Sequence, residues 1–218
     1  MPLNSKNNSL REALLLYAVT SAKWVGSQTF LQQIESSLQG GATLVQLREK
    51  NMAYDAYLER ALAVKELCDR YNVGLIIDDN VEVARACDAL GVHIGQEDVS
   101  VSDARAILGS DKVIGVSTKT VDQALVAESQ GADYLGVGAI YPTQTKENPI
   151  RTSIETLSAI TSAVSIPVVA IGGITAARIE ALLGSGIVGV AVVSAIYAAE
   201  DIQSATRELK LAVQRLVQ

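Results

Sequence analysis

The sequence predicts a (β/α)8 TIM barrel, in which eight parallel strands alternate with helices and close on themselves. Three observations lead to this prediction: the 218 residues contain eight short apolar runs, the runs are evenly spaced, and segments with helical spacing lie between them. The runs begin about every 25 residues, and eight such units, roughly 200 residues, leave little of the chain over. We therefore expect a single domain over residues 1–218, with residues 1–12 forming either a loose N-terminal arm or part of a leading helix.

The eight apolar runs are the predicted strands. They are continuous rather than alternating over most of their length, which is typical of parallel strands covered on both faces. They span Leu14–Thr20, Thr43–Arg48, Gly74–Asp78, Val92–Ile94, Val113–Val116, Tyr134–Val137, Pro167–Ile171 and Ile187–Val193. The first run follows Arg11 and resembles a short signal-peptide core, but its length also suits a buried strand, which we prefer.

The segments between these runs have helical spacing. Phe30, Ile34 and Leu38 fall on one face of a helix, as do the apolar residues within Tyr57–Tyr71. Glycines after such segments predict left-handed helix caps, and they are the pair Gly40-Gly41 together with Gly91, Gly131 and Gly186. The alternative fold, a doubly wound open sheet, usually carries G-x-G-x-x-G after its first strand. No such motif follows Leu14–Thr20.

The composition excludes several classes of protein. Apolar residues make up 49% of the chain and the net charge is −6, so neither nucleic acid nor an anionic membrane surface is an expected partner. No apolar stretch approaches the roughly 18 residues of a membrane span. Cys68 and Cys87 form no C-x-x-C pair and are expected to be buried, reduced thiols. We expect a cytoplasmic protein, and the sequence leaves open whether it is a homo-oligomer.

Polar side chains concentrate where the predicted strands end, which is where barrels of this kind carry their function. Gln46, Arg48 and Lys50 alternate along the second strand and therefore share one of its faces. If Arg48 points into the barrel mouth, Gln46 lies one layer below it, and Val45 and Leu47 face the helices. Arginine binds phosphate or carboxylate groups through two parallel hydrogen bonds.

Three carboxylates follow the third and fourth strands, namely Asp78, Asp79 and Asp98. Mg²⁺ is commonly held by one or two carboxylates together with phosphate oxygens, so a magnesium site is one interpretation. The alternative is helix capping, with Asp78 or Asn80 at the start of one helix and Asp98 at the start of the next. The spacing alone leaves both interpretations open.

The last two strands end in residues that suit a phosphate group. Gly172 and Gly173 allow a close approach of the backbone, and Ser194 follows the eighth strand, where many barrels bind phosphate. His93, the only histidine, lies inside the fourth strand and is expected to be a packed core residue. Because no general base is evident, the pattern favours phosphorylated substrates and a reaction in which Mg²⁺ assists a phosphate leaving group.

At these motifs the sequence resembles the thiamine phosphate synthase family. The GVHIGQED run from Gly91 to Asp98 and the GAIYPTQTK run from Gly138 to Lys146 are the most specific matches. Further matches occur along nearly the whole chain, at Leu16–Thr20, Gln46–Lys50, Ile77–Asp79, Gly115–Ser117, Ile171–Ile174 and Val193–Ile196. The resemblance implies a (β/α)8 barrel and a transferase of thiamine biosynthesis.

The resemblance also implies the reaction and its partners, which are small molecules. A hydroxymethylpyrimidine diphosphate is joined to a thiazole phosphate, pyrophosphate is released, and Mg²⁺ is the cofactor. In the implied dissociative mechanism, pyrophosphate leaves first, and the thiazole nitrogen then attacks a pyrimidine methylene cation. That order of events agrees with the lack of an evident base.

Roles for individual residues follow from the same resemblance. Asp79 and Asp98 would hold Mg²⁺, and the pyrimidine diphosphate would be bound by Gln46, Arg48, Lys50, Ser117 and Lys146. Within that set Arg48, Ser117 and Lys146 are the predicted catalytic residues, with Lys146 assisting the departure of pyrophosphate. The thiazole phosphate would be bound by Thr143, Thr145, Gly173, Val193 and Ser194.

Two residues depart from the family pattern. Ala139 stands where the family often has proline, which would change only the stiffness of its loop. Asp78, which we place in the substrate site, stands where the family often has asparagine, so a carboxylate lies beside the expected diphosphate. The change would either weaken substrate binding or add a metal ligand. Two other functions are kept as alternatives: a thiazole tautomerase-like isomerase, and a non-catalytic regulator that binds thiazole or thiamine phosphate.

Overall fold

The computed structural model describes residues 9–143 and 151–217, and its strands form a closed barrel of eight parallel strands in sequence order. This confirms the predicted (β/α)8 fold. The strands are β1 (Leu16–Val19), β2 (Leu44–Leu47), β3 (Gly74–Asp78), β4 (Gly91–Ile94), β5 (Val113–Thr118), β6 (Tyr134–Val137), β7 (Val168–Ile171) and β8 (Gly189–Val192). β1 pairs with both β2 and β8, which closes the barrel.

Helices follow the strands on the outside. Residues 9–13 form a short leading helix, α1, so residues 9–12 belong to a helix rather than to a loose arm. The others are α2 (Phe30–Gly40), α3 (Tyr54–Arg70), α4 (Val81–Ala86), α5 (Val101–Leu108), α6 (Val121–Ser129), α7 (Ile154–Ala163), α8 (Ser194–Tyr197) and α9 (Ile202–Val217). After β7 the chain forms a 3-10 helix, Ala176–Leu182, in place of a regular α-helix.

Strand parity separates two apolar regions. Val45 and Leu47 belong to the larger one, between the barrel and the helices, as the alternation along β2 predicts. The smaller one fills the barrel interior and is formed by Leu14, Tyr17, Val19, Leu44, Ile76, Val113, Tyr134, Val169 and Ala191. Polar residues, among them Gln46, Asp78, His93 and Ser117, occupy other inward positions near the carboxyl ends of the strands.

Strand lengths differ from the apolar runs because backbone pairing, not hydropathy, sets where a strand ends. β5 continues beyond Val116 through Ser117 and Thr118, which pair with Gly136 and Val137 of β6. β1 is shorter than the apolar run Leu14–Thr20. Thr20, the polar last residue of that run, belongs to the loop that follows β1. The first apolar run is thus a barrel strand in this structure.

Three of the four predicted cap positions have a glycine with a left-handed backbone angle: φ is 101° at Gly41, 93° at Gly131 and 78° at Gly186. Gly40 is the last residue of α2, so Gly41 alone forms the first cap. The prediction is wrong for Gly91, which is the first residue of β4. A Cβ atom at Gly91 would overlap the backbone of Val113, including its carbonyl carbon at 2.6 Å. Glycine is required there because two strands pass closely, not because a helix ends.

Gly91→Ala is expected to destabilise the protein by about 3 kcal/mol, since relieving that overlap must shift β4 or β5. Gly26→Ala is the matched control, because a Cβ at Gly26 meets nothing within 4 Å, and a change within about 0.5 kcal/mol is expected there. Urea unfolding of both variants measures the difference. Equal stabilities would show that the barrel absorbs a methyl group at this strand contact.

Cys68 and Cys87 are both buried and unbridged, as the cysteine spacing predicts. Among residues 9–143 and 151–217, no helix is long and apolar enough to cross a membrane.

Candidate active site

A cleft opens at the carboxyl ends of the strands and encloses about 960 Å³, counting the solvent at its mouth. Of the predicted site residues, Gln46, Arg48, Asp78, Ser117, Thr143, Gly173, Val193 and Ser194 line it. His93 and Lys119 line it as well. The cleft therefore brings together residues from the ends of most of the strands, as the position of polar residues at the strand ends predicts.

Arg48 and Lys50 lie beside Asp78. The Arg48 Nε atom is 3.3 Å from Asp78 Oδ2, and Lys50 Nζ is 3.4 Å from the same oxygen. Asp78 is buried, with 8% of its surface exposed, and Arg48 is largely buried. The departure at Asp78 thus has a structural consequence: its carboxylate forms ion pairs with Arg48 and Lys50, two of the three cations predicted to bind the diphosphate.

Burial dominates the electrostatics of Asp78. Removal of the carboxylate from water, together with the nearby Asp79 charge, raises its pKa to about 6, while Lys50 and Arg48 act in the opposite direction. The two cations therefore offset the desolvation of the carboxylate only in part. This side chain takes up a proton at a higher pH in the folded protein than in an unfolded chain.

Asp79 and Asp98 form a pair of carboxylates at the rim of the cleft, next to Lys50. Lys50 forms an ion pair with Asp79, and the Asp79 and Asp98 side chains lie within hydrogen-bonding reach of each other. Partial burial raises the pKa of Asp98, as does the neighbouring Asp79, although the backbone N–H of Gly95 donates to Asp98 Oδ2 at 2.7 Å and lowers it. Asp79 adopts a left-handed backbone conformation, with φ of 61°, which is uncommon for aspartate and frequent at functional sites.

Helix capping does not account for these aspartates. The side chain of Asn80 caps α4 by accepting from the N–H of Val83, and Ser100 caps α5 by accepting from the N–H of Asp103. Asp98 instead closes a tight turn onto Gly95. Two facing carboxylates on adjacent loops are a donor set that suits a divalent cation completed by phosphate oxygens. Asp79 and Asp98 could therefore hold Mg²⁺.

A chain of hydrogen bonds crosses the barrel interior between Gln46 and Ser117. Gln46 Nε2 lies 2.8 Å from the Tyr17 hydroxyl, which lies 3.0 Å from that of Tyr134. The Tyr134 hydroxyl is 2.9 Å from His93 Nδ1, and His93 Nε2 is 2.9 Å from Ser117 Oγ. His93 is buried, as predicted, but it also contacts a site residue. Sequence reasoning missed both tyrosines, although their inward parity was a usable signal.

The opposite side of the cleft is formed by the loops after β6, β7 and β8. Gly172 and Gly173 have φ of 97° and 64°, and a Cβ at Gly172 would lie 2.7 Å from Ala139. The glycines therefore let the β7 loop pack directly on the β6 loop. Ser194 begins α8, so its backbone N–H lies at a helix start beside them. Together these backbone N–H groups can bind an anion by donating hydrogen bonds to it.

Two predicted site residues, Thr145 and Lys146, lie outside the described residues, and their roles stay predictions. Thr143, from the same motif, lines the cleft. Lys50, Asp79 and Asp98 are placed at the rim rather than in the lining, and the ion pairs of Lys50 with Asp78 and Asp79 connect the rim to the cleft.

Comparisons with known proteins identify relatives that match most of this chain. A family model described as thiamine monophosphate synthase matches residues 16–196. "Thiamine-phosphate synthase 2" of Streptococcus pneumoniae is 52% identical over 197 residues, which are 90% of this chain and 94% of that protein. "Thiamine-phosphate synthase" of Enterococcus faecalis is 47% identical over 209 residues, covering 96% and 99%. A solved structure of thiamine phosphate pyrophosphorylase from Pyrococcus furiosus superimposes with a TM-score of 0.87 at 37% identity, covering 96% of this chain and all of that one.

Proposed function

Because the chain belongs to the thiamine monophosphate synthase family, a family of transferases, we propose that it joins a hydroxymethylpyrimidine diphosphate to a thiazole phosphate. The products are thiamine phosphate and pyrophosphate. The observation that carries this proposal is the position of the Asp79–Asp98 carboxylate pair. It lies beside Lys50, which together with Arg48 also forms ion pairs with Asp78, at the rim of a cleft whose other side is rich in glycine and suited to an anion.

The two sides of the cleft suit two different anions. Arg48 and Lys119 line one part, and Lys50 lies at its rim, so this side can bind a diphosphate. Gly173 and Ser194 offer backbone groups suited to a monophosphate. In this assignment the pyrimidine methylene carbon, which carries the diphosphate, meets the thiazole nitrogen between the two anion sites, near Ser117 and the floor of the cleft.

The proposed reaction requires the protein to bind the two substrates and to supply positive charge for the leaving group. The bond between the pyrimidine methylene carbon and the diphosphate oxygen breaks, and its electron pair leaves with pyrophosphate. The lone pair of the thiazole nitrogen then forms the new carbon–nitrogen bond. No proton has to be removed, which agrees with a cleft lined by cations and hydroxyl groups. Arg48 binds the leaving group in this scheme, and Ser117 contributes a hydroxyl.

Mg²⁺ would be held by Asp79 and Asp98, and when bound it supplies positive charge for the leaving diphosphate. Lys50 would turn from these carboxylates toward the diphosphate, because the cation then neutralises the aspartates. The two alternative functions, a regulator and an isomerase, would require only part of this set of anion and metal sites. A regulator that binds thiazole phosphate needs only the glycine-rich side, and an isomerase needs no diphosphate site.

The test is product formation by the purified protein from the two substrates, with Mg²⁺ or with a chelator, followed by detection of thiamine phosphate. Metal-dependent formation of thiamine phosphate is the expected result. A folded protein that binds the thiazole phosphate equally well with chelator, and forms no thiamine phosphate, would overturn the proposal. That outcome would favour the regulator or the isomerase.

A further inference from the structure

The hydrogen-bond chain from Gln46 to Ser117 has a direction that its chemistry determines. The amide nitrogen of Gln46 can only donate, so the Tyr17 oxygen accepts from it. Both tyrosines are fully buried, and burial raises their pKa values, so each phenol keeps its single hydrogen. The Tyr17 hydrogen then points at Tyr134, and the Tyr134 hydrogen points at Nδ1 of His93.

The direction continues through the imidazole ring. A neutral histidine carries one N–H, and because Nδ1 accepts from Tyr134, that hydrogen lies on Nε2. His93 Nε2 therefore donates to Ser117 Oγ, 2.9 Å away. Since the Ser117 oxygen accepts on its inner side, its own O–H hydrogen is turned toward the cleft, which Ser117 lines.

The barrel is shaped to hold this chain. A Cβ at Gly115, which pairs with Tyr134, would overlap the tyrosine ring, and a Cβ at Gly136 would lie 3.0 Å from the His93 ring. The rings of His93 and Tyr134 lie with centroids 5.4 Å apart, and Tyr17 packs edge-on against Tyr134 at 6.1 Å. Glycines at two inward positions thus make room for aromatic groups that carry hydroxyl and imidazole functions.

The reverse direction fits the cleft poorly. With the Gln46 amide turned over, every donor would become an acceptor, and Ser117 would donate inward to His93. Ser117 would then present only lone pairs to a cleft lined by Arg48 and Lys119, whose charges select an anion. Oxygen lone pairs facing anionic oxygens repel each other, so an anionic ligand favours the first direction.

We propose that Gln46 acts through Tyr17, Tyr134 and His93, as positioning residues, to make Ser117 a hydrogen-bond donor to a phosphate oxygen of the bound ligand. The ligand part of this inference rests on the proposed function. The hydrogen on Nε2 of His93 does not, because it follows from the Gln46 amide nitrogen, which faces the Tyr17 hydroxyl in the protein without ligand. The two parts can therefore fail separately.

His93 is the only histidine of the chain, so the imidazole nitrogen resonances in a ¹⁵N NMR spectrum report on it alone. We expect the Nε2–H tautomer in the parent protein at pH 8. Gln46→Glu replaces the donor by a carboxylate that accepts, so every bond of the chain reverses and His93 changes to the Nδ1–H tautomer. Nδ1–H in the parent protein, or an unchanged tautomer in Gln46→Glu, would overturn the proposal.

A second substitution tests whether the direction passes through the tyrosines. Tyr134→Phe in the Gln46→Glu background interrupts the chain, and Nε2–H is expected to return because an unpaired buried N–H at Nδ1 is the costlier state. Pyrophosphate binding with Mg²⁺, measured by calorimetry, should be weaker in Gln46→Glu and recover in the double variant by about twofold to tenfold, the range of one net hydrogen bond. Recovery is what a merely structural role of Tyr134 would not produce.

Tyr197→Phe in the same background is the matched control, since the Tyr197 hydroxyl is also buried but contacts Ser37 on the helix layer. No change in tautomer or affinity is expected from it. The proposal would be overturned if the double variant, Gln46→Glu with Tyr134→Phe, regained neither the Nε2–H tautomer nor the pyrophosphate affinity. If that variant does not fold, Tyr17→Phe in the Gln46→Glu background interrupts the chain one step earlier.

The two proposals give different results. The expected tautomers without formation of thiamine phosphate would overturn the proposed function alone, and formation of thiamine phosphate with the opposite tautomers would overturn this inference alone.

Discussion

Asp98→Asn is expected to lower turnover about 100-fold at a Mg²⁺ concentration that saturates the parent protein, and to raise the Mg²⁺ concentration needed for half-maximal rate. The asparagine oxygen can still accept from the Gly95 N–H, so the turn that Asp98 closes is retained. What the substitution removes is one of the two charges that face each other at the rim of the cleft. A steady-state Mg²⁺ titration of both proteins measures the effect.

Asp103→Asn is the matched control. Asp103 lies at the start of α5, five residues further along the chain, and accepts a hydrogen bond from Ser100 on the exposed surface. It carries the same charge but has no part in the proposed site, so its Mg²⁺ titration should match that of the parent. An unchanged titration in Asp98→Asn would assign Asp98 to the Gly95 turn alone and leave Asp79 without a partner for the metal.

Asp78→Asn is expected to stabilise the protein by about 2 kcal/mol at pH 8, an unusual direction for a substitution inside a binding site. Burial raises the pKa of Asp78 from 3.8 to about 6, so the folded protein holds this proton more tightly than the unfolded chain does. Stability therefore falls as the pH rises from about 4 through about 6, where the buried carboxyl ionises. The asparagine amide has no such ionisation, and a pKa difference of this size is worth on the order of 3 kcal/mol.

The advantage of Asp78→Asn should shrink to about 0.5 kcal/mol at pH 4, because the parent carboxyl is then largely protonated in the folded protein and roughly 40% protonated in the unfolded chain. Urea unfolding with a chelator present, at pH 4 and at pH 8, measures this dependence. Asp111→Asn controls for the change in net charge, because Asp111 is exposed and lies at the amino end of β5. A gain of equal size at both pH values would show that packing rather than ionisation is responsible.

The same substitution should tighten the binding of pyrophosphate with Mg²⁺ by about threefold to tenfold, since Arg48 and Lys50 lose a competing carboxylate. This separates two consequences of the departure from the family pattern. If Asp78 instead serves as a further metal ligand, Asp78→Asn would weaken pyrophosphate binding in Mg²⁺ while leaving the stability prediction unchanged.

Much of the site could be predicted because strand geometry is periodic. The alternation along β2 placed Gln46 and Arg48 on the inner face and Val45 and Leu47 against the helices, and the structure agrees. The same reasoning was wrong for Gly91, since a close strand contact and a helix cap both call for glycine. It also left Asp98 undecided, because a capping aspartate and one that closes a turn look alike in the sequence.

The barrel, the apolar layers and the edge at which the polar residues collect could be predicted, because each depends on local periodicity and on the order of strands and helices. Which polar groups meet could not be predicted, because those contacts form between strands that are distant in the chain. Gln46, Tyr17, Tyr134, His93 and Ser117 come from five strands, and Asp78 reaches two cations that follow another strand. Such contacts depend on the register and stagger with which the strands close. Hydrogen-bond direction and the pKa of a buried carboxyl arise from these contacts and are not properties of any one segment.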